Sequence, residues 1–134
     1  NAVAASAQRN DGAHLLPRHV LVVDDEIDSR LAVATLLASY GCEVSTAHDP
    51  EHAETLLRDH PIEVAIVDFR LPGERTGLDF LIALREHAPD VRGLLVTGDT
   101  APDRIASIKA SGVPCLFKPV RAQQLLAALD WQAS

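Results

Sequence analysis

Five residues that can do chemistry follow directly after short apolar stretches of the chain: Asp24, Asp25, Asp68, Thr97 and Lys118. Three carboxylates brought together repel one another, so their cluster is costly unless a cation neutralises it. Oxygen ligands that face water suit Mg²⁺, which prefers octahedral oxygen coordination and keeps some of its waters. The lysine adds a flexible positive charge and the threonine adds a hydroxyl donor. These groups predict a site that binds Mg²⁺ and neutralises a transferring phosphoryl group.

The five residues meet only if the apolar stretches are strands of one sheet. Five stretches are predicted to be strands: 20–23, 42–47, 64–67, 93–96 and 113–117. They alternate with segments that are predicted to be helices: 28–40, 50–58, 77–87, 102–111 and 121–131. Gly41 and Gly112 supply helix-stop signals, and Pro50 suits a first helical turn. This alternation predicts an α/β fold whose parallel sheet is covered on both faces.

The predicted strand order follows from which strands end in reactive residues. In an open parallel sheet, ligands bind at the carboxyl edge, where the strand order reverses. Only the second strand ends without such a residue, in Ala47-His48-Asp49, which fits a place at the margin of the sheet. The order is therefore 2-1-3-4-5, a flavodoxin-like doubly wound (βα)5 fold. In this order the three carboxylates converge between strands one and three.

Length and composition limit the function classes. The 134 residues are 47% hydrophobic and 23% charged, which suits one globular domain. We predict a tag remnant or linker arm over 1–18, the domain over 19–131 and a tail over 132–134. A net charge of −7 argues against direct binding to nucleic acid or an anionic membrane. No apolar run approaches the ~18–20 residues that span a bilayer, and Cys42 and Cys115 are expected to be small buried thiols.

Four segments at the predicted strand ends resemble those of a response-regulator receiver domain. They are Val22-Val23-Asp24-Asp25-Glu26; Ile66-Val67-Asp68 with Leu71-Pro72 and Gly77; Val96-Thr97-Gly98; and Phe117-Lys118-Pro119. An acidic pair after a strand is commonplace, but all four segments in order are highly specific. The likeness covers residues 20–129, nearly the whole chain beyond the predicted arm.

The resemblance implies a phosphoacceptor and a set of metal ligands. Asp68 would be the phosphoacceptor, and its carboxylate would attack the phosphorus of a phosphohistidine on a partner. Asp25 and Asp68 would bind Mg²⁺ directly, and Asp24 would hold a coordinated water. The backbone carbonyl of Arg70 would complete the protein's share of the ligands.

The resemblance also implies how phosphorylation would act on the rest of the domain. Thr97 would bind a phosphoryl oxygen and move inward, and Lys118 would pair with Asp68 and then with the phosphoryl group. The peptide bond before Pro119 would be cis. The family usually has Tyr or Phe three positions before the lysine, as a switch residue. Cys115 stands there in this chain, so the aromatic half of the switch is missing at that position.

The loop after the phosphoacceptor also departs from the family pattern. Residues 68–77 form a loop one residue longer than the common receiver form. Arg70 and Asp99 each stand two residues beyond a site residue. We hypothesise that the two pair across the mouth of the site and slow the attack of water on an acyl phosphate.

The resemblance implies a phosphorelay module whose partner is a histidine kinase or a histidine phosphotransfer domain. Partner contacts, including a weak homodimer, are expected on the fourth and fifth helices with the fifth strand. Alone, the domain would not be an enzyme beyond its own phosphorylation and autodephosphorylation. Segments 93–102 and 118–121 resemble receivers at the C-terminus of hybrid histidine kinases. The parent is therefore expected to be a kinase in the bacterial cytoplasm, itself able to associate with the membrane.

Three alternatives to that assignment remain open. The first is a stand-alone, single-domain response regulator. The second is a Mg²⁺-dependent phosphohydrolase that uses an aspartyl phosphate, but the acid that such enzymes need two residues after the nucleophile is replaced by Arg70. The third is a degenerate binding module that never takes phosphate, which the presence of all five site residues disfavours.

Overall fold

The computed structural model describes residues 16–130. Its strands are β1 (His19–Val23), β2 (Glu43–Ala47), β3 (Val64–Asp68), β4 (Arg92–Thr97) and β5 (Cys115–Phe117). Its helices are α1 (Ile27–Ser39), α2 (Pro50–Asp59), α3 (Gly77–His87), α4 (Pro102–Ser111) and α5 (Ala122–Leu129). All strand pairs are parallel, and the sheet order is β2-β1-β3-β4-β5. The predicted flavodoxin-like α/β fold and its strand order are confirmed.

The centre of the sheet consists of β1 and β3, in which every residue is buried. Their Val- and Ile-rich sequences suit parallel strands that are covered on both faces. The register pairs Val20 with Val64 and Val23 with Val67. The two strands therefore end at the same level, which places Asp24 beside Asp68.

The helices cover the sheet with a separate apolar core on each face, because successive strand residues point to opposite sides. The core beneath α2, α3 and α4 includes Leu21, Val67, Leu95, Phe80, Leu81 and Ile108. The core beneath α1 and α5 includes Val20, Ile66, Val96, Leu37, Leu125 and Leu129. Burial on both faces holds each strand at a fixed height, and this sets the level of the residues at its carboxyl end.

Local signals set the helix ends at both edges of the sheet. Thr76 and Asp79 form a reciprocal capping box that starts α3, with hydrogen bonds of 3.0 and 3.1 Å. Gly112 ends α4 with a φ of 77°, a left-handed conformation that glycine adopts at little cost. Gly41, with a φ of 93°, follows α1 in the same way.

The second predicted strand begins one residue later, at Glu43, and two other predicted elements are shorter by two or three residues. The fifth strand was expected over 113–117 and spans Cys115–Phe117, because Pro114 has no N–H to donate to a ladder, although its carbonyl accepts from Leu95 N at 2.9 Å. The last helix was expected over 121–131 and spans Ala122–Leu129, with Arg121 as its N-cap. Residue 131 lies outside the described range.

The start of the described chain packs onto the domain. Leu16 is 3% exposed and Pro17 is fully buried, so part of the stretch that was expected to be an arm belongs to the core. The remainder of the predicted arm, 1–15, and the predicted tail, 132–134, lie outside the described residues. Within 16–130, none of the helices has the length and apolar character that crossing a bilayer requires.

Candidate functional site

The predicted site residues reach one edge of the sheet because each stands at the end of a strand. Asp68 and Thr97 are the last residues of β3 and β4, Asp24 follows β1 directly, and Lys118 follows β5 directly. Asp24 is 6% exposed, Asp68 7% and Thr97 1%, which is uncommon for polar side chains. The burial of three polar side chains at one edge therefore needs a chemical explanation.

Three carboxylates form a compact cluster at this edge. Asp24, Asp25 and Asp68 each offer an oxygen, and these oxygens lie within 4.8 Å of one another. Two of the carboxylates are buried and Asp25 is exposed, so the cluster is open to solvent on one side. It is the one group of three or more metal-type ligands within residues 16–130. An all-oxygen, anionic donor set that faces water fits Mg²⁺.

Lys118 is the cation of the site. Its Nζ lies 2.8 Å from Asp68 Oδ1 and 3.8 Å from Asp24 Oδ2. Its backbone N–H donates to the carbonyl of Thr97 at 2.9 Å, which ties the end of β5 to the end of β4. The peptide bond between Lys118 and Pro119 is cis.

One lysine faces three carboxylates, and the pKa values of Asp68 and Lys118 are both shifted upwards. Burial raises the pKa of Asp68, and the nearby charge of Asp24 raises it further, against the opposing effects of Lys118 and of the Arg70 N–H. Burial alone would lower the pKa of Lys118, but its hydrogen bond and charge interaction with Asp68, together with Asp24 and Glu26, raise it. The site therefore has an excess of negative charge that a bound cation would relieve.

Backbone contacts hold the Asp68 carboxylate in one orientation. The Arg70 N–H donates to Asp68 Oδ2 at 3.1 Å, which leaves Oδ1 to Lys118. Gly77 begins α3 so close to the strand that a Cβ there would lie 2.1 Å from the Asp68 carbonyl oxygen. The Gly77 N–H also donates to Phe69 O at 2.7 Å. The start of α3 thus fixes the backbone that carries the predicted phosphoacceptor.

Thr97 is held by the loop that follows it. Its Oγ1 accepts a hydrogen bond from the Asp99 N–H at 3.0 Å, and Asp99 Oδ1 accepts one from the Ala101 N–H at 3.0 Å. Both are local side-chain turns that shape residues 98–101, which we call the β4–α4 loop. The threonine hydroxyl is therefore engaged with its own loop.

The predicted pairing of Arg70 with Asp99 is wrong. Asp99 Oδ2 lies 3.5 Å from Arg104 Nη1, and no ion pair joins Asp99 to Arg70 among the residues that the structure describes. The Arg104 guanidinium also lies over the Phe69 ring, 4.4 Å from its centre. Arg104 is the partner of Asp99 because the first turn of α4 places it next to both Asp99 and Phe69, whereas the Arg70 side chain is exposed.

The switch position and the other cysteine have no charged chemistry of their own. Cys115 is partly buried against the core under α4, and burial raises the pKa of its thiol. Burial, with a contribution from Glu63, raises the pKa of Cys42 to about 11. Both thiols stay protonated at neutral pH, and both are free. Phe117, two residues after Cys115 in β5, is 41% exposed and is not a core residue.

Two clefts flank Asp68 and Lys118. One, of about 460 Å³, is lined by these two residues, Arg70, Thr97 and the β4–α4 loop. The other, of about 570 Å³, lies between α1 and the chain after β5, and its walls include Asp24, Val33 and Val120. A third cleft, of about 370 Å³, lies between α2 and α3 and touches none of the site residues. A ligand therefore reaches Asp68 from either side of Lys118.

Comparison with known proteins identifies the family. The family model for the response regulator receiver domain matches residues 20–130. This chain belongs to that family. A receiver domain of this kind serves two-component signalling, and receiver domains generally accept phosphate rather than act as enzymes.

Solved and curated receiver proteins resemble this one over most of its length. The chemotaxis protein CheY4 of Vibrio cholerae superimposes with a TM-score of 0.73 at 33% identity, covering 84% of this chain and 95% of that one. A Burkholderia pseudomallei response regulator, solved with a phosphorylated aspartic acid, a calcium ion and citrate, has a TM-score of 0.75 at 29% identity, covering 87% and 69%.

The alginate biosynthesis transcriptional regulatory protein AlgB of Pseudomonas putida is 36% identical over 124 residues, which is 92% of this chain. The chain spans only 26% of the length of AlgB, about a quarter of that relative.

Two arginines of the receiver domain were missed from sequence. Arg30 Nη1 donates to the Asp24 carbonyl at 2.8 Å, and Arg104 contacts Asp99 and Phe69. Both stand in the first turns of helices, where the helix dipole disfavours a cation. An arginine in the first turn of a helix is therefore a sequence signal that its side chain has a partner elsewhere in the fold.

Proposed function

We propose that this receiver domain accepts a phosphoryl group on Asp68, with Mg²⁺, from a phosphohistidine of a histidine kinase or histidine phosphotransfer domain. The observation that carries the proposal is the Asp68 carboxylate itself. It is buried, lies in a cluster of three acids, is oriented by the Arg70 N–H and Lys118, and borders two open clefts. Acids that are clustered in a cleft and incompletely compensated by cations mark functional sites.

In the transfer, a carboxylate oxygen of Asp68 attacks the phosphorus and forms an acyl phosphate. The phosphorus–nitrogen bond breaks, and the imidazole nitrogen keeps the electron pair of that bond and takes up a proton. Lys118, 2.8 Å from Asp68 Oδ1, is placed to follow the negative charge onto the phosphoryl oxygens. Thr97, beside it at the end of β4, supplies a hydroxyl donor to another phosphoryl oxygen.

The acidic cluster would hold the metal through Asp24, Asp25, Asp68 and the Arg70 carbonyl, with Asp24 acting through a water. When bound, Mg²⁺ would neutralise charge on the donor phosphate and on the acceptor carboxylate, which otherwise repel each other. The chain's own contribution is the fixed height and orientation of Asp68, which α3 and the strand register impose.

We place the phosphodonor on α1. Ile27 and Leu31 are 57% and 50% exposed, the largest exposures of any large apolar side chains in the described range. They stand four residues apart, so they share one face of the helix. That helix forms a wall of the 570 Å³ cleft that leads to Asp68. Because Ile27 begins α1 three residues after Asp24, a partner helix that covers these two side chains would hold its phosphohistidine beside the acidic cluster.

Two parent proteins fit this module. The resemblance of segments 93–102 and 118–121 favours the C-terminal receiver of a hybrid histidine kinase in the bacterial cytoplasm. The likeness to AlgB, a transcriptional regulatory protein of which the chain spans 26%, favours a response regulator instead. The domain order of the parent protein decides between them. In either parent we expect any contact with nucleic acid or membrane to be made outside this domain, because this chain carries a net charge of −7.

Incubation with acetyl phosphate and Mg²⁺, followed by mass spectrometry, tests the proposal. We expect a gain of one phosphoryl group that Asp68→Asn abolishes and that Asp28→Asn, an exposed control outside the cluster, leaves unchanged. Continuous release of phosphate over many turnovers would favour the phosphohydrolase instead. No gain in mass by the native chain would leave only the degenerate binding module.

A further inference from the structure

The β4–α4 loop connects the two halves of the proposed phosphorylation site through contacts that the transfer itself does not use. Asp99 lies at the centre of these contacts. Its N–H donates to Thr97 Oγ1 at 3.0 Å, and its Oδ2 lies 3.5 Å from Arg104 Nη1. Arg104 stacks over Phe69, the residue that follows Asp68. One arginine therefore joins the loop that holds Thr97 to the chain that carries the phosphoacceptor.

At the β4–α4 loop, the contacts of this connection oppose the movement of Thr97 that is expected on phosphorylation. In the resting structure the Thr97 hydroxyl closes a turn with Asp99, and its side chain is almost fully buried, at 1% exposure. If Thr97 turns to donate to a phosphoryl oxygen, the hydrogen bond from the Asp99 N–H is strained or broken. The contacts that hold Asp99 in place therefore oppose the movement of Thr97.

The anchored end of this connection is rigid. Phe69 is 6% exposed, its N–H donates to Val96 O at 2.8 Å and its carbonyl accepts from the Gly77 N–H at 2.7 Å. The Asp99 side chain is only 17% exposed, so its pairing with Arg104 is partly shielded from water. A guanidinium is planar and stacks on an aromatic face while it binds a carboxylate, which an ammonium does less well.

We propose that Arg104 is a positioning residue that holds the β4–α4 loop in its resting conformation, and thereby lowers the affinity of the domain for a phosphoryl group on Asp68. This inference rests on the proposed function. It names a residue that contacts neither the phosphoryl group nor the metal ligands, and whose loss strengthens rather than weakens the response of the site.

The test is a titration of the whole chain with beryllium fluoride, a phosphoryl mimic, at saturating Mg²⁺. Arg104→Ala is expected to lower the dissociation constant about fivefold, or roughly 1 kcal/mol, since an ion pair and a cation–π contact of this exposure are lost. Arg104→Lys keeps the charge without the planar stack, so its dissociation constant is expected to lie between those of the native chain and Arg104→Ala. The Asp99 and Ala101 amides are expected to exchange hydrogen faster in Arg104→Ala, without any ligand.

Arg75 supplies the matched control. Arg75 makes the same two kinds of contact elsewhere, an ion pair with Glu54 at 3.1 Å and a stack over Phe80 at 5.7 Å. Arg75→Ala is expected to leave the beryllium fluoride affinity unchanged, so a general loss of stability cannot mimic the effect. An unchanged or weaker affinity of Arg104→Ala, with native binding intact, overturns this inference alone. A native chain that fails to bind beryllium fluoride overturns the proposed function as well.

Discussion

At the amino edge of the sheet the buried polar side chains include His19, whereas at the carboxyl edge they are Asp24, Asp68 and Thr97. His19 is 4% exposed, and its Nε2 is hydrogen-bonded to Ser45 Oγ at 2.9 Å. Close by, the Glu63 carboxylate accepts hydrogen bonds from the N–H groups of Arg18 and His19. His19 and Glu63 thus have local partners, and within residues 16–130 no group of three metal-type ligands forms at this edge.

Asp68 has a different environment. Its one lysine lies 2.8 Å away, but that lysine also faces Asp24, and burial and Asp24 together leave the pKa of Asp68 raised. Buried polar groups that serve structure are satisfied, because an unsatisfied one costs stability. The carboxyl edge keeps an imbalance of charge, whereas His19 and Glu63 at the amino edge are paired. This imbalance, added to burial, distinguishes the edge that carries the candidate site.

The largest expected effect is on the rigidity of the carboxyl edge. In Gly77→Ala the new Cβ would meet the Asp68 carbonyl at 2.1 Å, and backbone cannot give way as a side chain does. We expect a loss of about 3 kcal/mol in the free energy of unfolding, measured by urea denaturation.

Gly93 near the amino edge is the matched control for Gly77. A Cβ at Gly93 would meet Leu81 Cδ2 at 2.8 Å, the flexible end of a side chain. We expect Gly93→Ala to cost less than about 1 kcal/mol, since Ala is also better than Gly within regular structure. Equal losses for the two variants would contradict the rigidity that we ascribe to the carboxyl edge.

The next effect concerns the metal. Asp24→Asn removes a charge from the acidic cluster, so we expect Mg²⁺ to bind at least about tenfold more weakly in calorimetric titrations. Glu63→Gln is the control, because it removes a carboxylate that is engaged with backbone N–H groups at the opposite edge. If the control weakened Mg²⁺ binding as much as Asp24→Asn did, total charge rather than the cluster would control the affinity.

The sequence predicted the elements and the carboxyl edge well for a definite reason. Polar residues that directly follow apolar stretches, such as Asp68 after 64–67, show in the chain where a strand ends. Parallel pairing then brings these ends together without any knowledge of side-chain contacts. The strand order followed because only the second strand lacked such a residue.

Side-chain pairing across the mouth of the site could not be predicted in the same way. Arg70 and Asp99 were related by their positions in the sequence, whereas the true partner, Arg104, depends on how α4 lies over Phe69. The strand at Cys115 was shortened by Pro114, whose missing donor matters only once the ladder is formed. The packing of the core sets how one element is oriented against another. The spacing of residues along the chain does not predict that orientation.

A smaller effect is expected at the amino edge. Ser45→Ala removes the hydrogen-bond partner of the buried His19 Nε2, so we expect a loss of about 1–2 kcal/mol in the free energy of unfolding. Ser39 Oγ instead donates to the Leu36 carbonyl of its own helix at an exposed site, and Ser39→Ala is expected to cost under about 0.5 kcal/mol. The loss in Ser45→Ala should be the same with and without Mg²⁺. A loss that depended on Mg²⁺ would link the two edges, contrary to the comparison.

The smallest effect is the pH dependence that Asp68 imposes without metal. Because burial and Asp24 raise its pKa in the folded chain, the folded state holds the proton more tightly than the unfolded state does. The stability that protonated Asp68 contributes is complete below its unfolded pKa and is lost as the pH rises through its folded pKa. In EDTA, Asp68→Asn should therefore melt a few degrees above the native chain at pH 7, with the gap closing towards pH 3. Excess Mg²⁺ should reduce or reverse the gap at pH 7. It binds the three carboxylates of the folded native chain, and it therefore stabilises that chain more than it stabilises Asp68→Asn. A gap that widened towards low pH would mean that Lys118 already compensates Asp68, and the imbalance that separates the two edges would not exist.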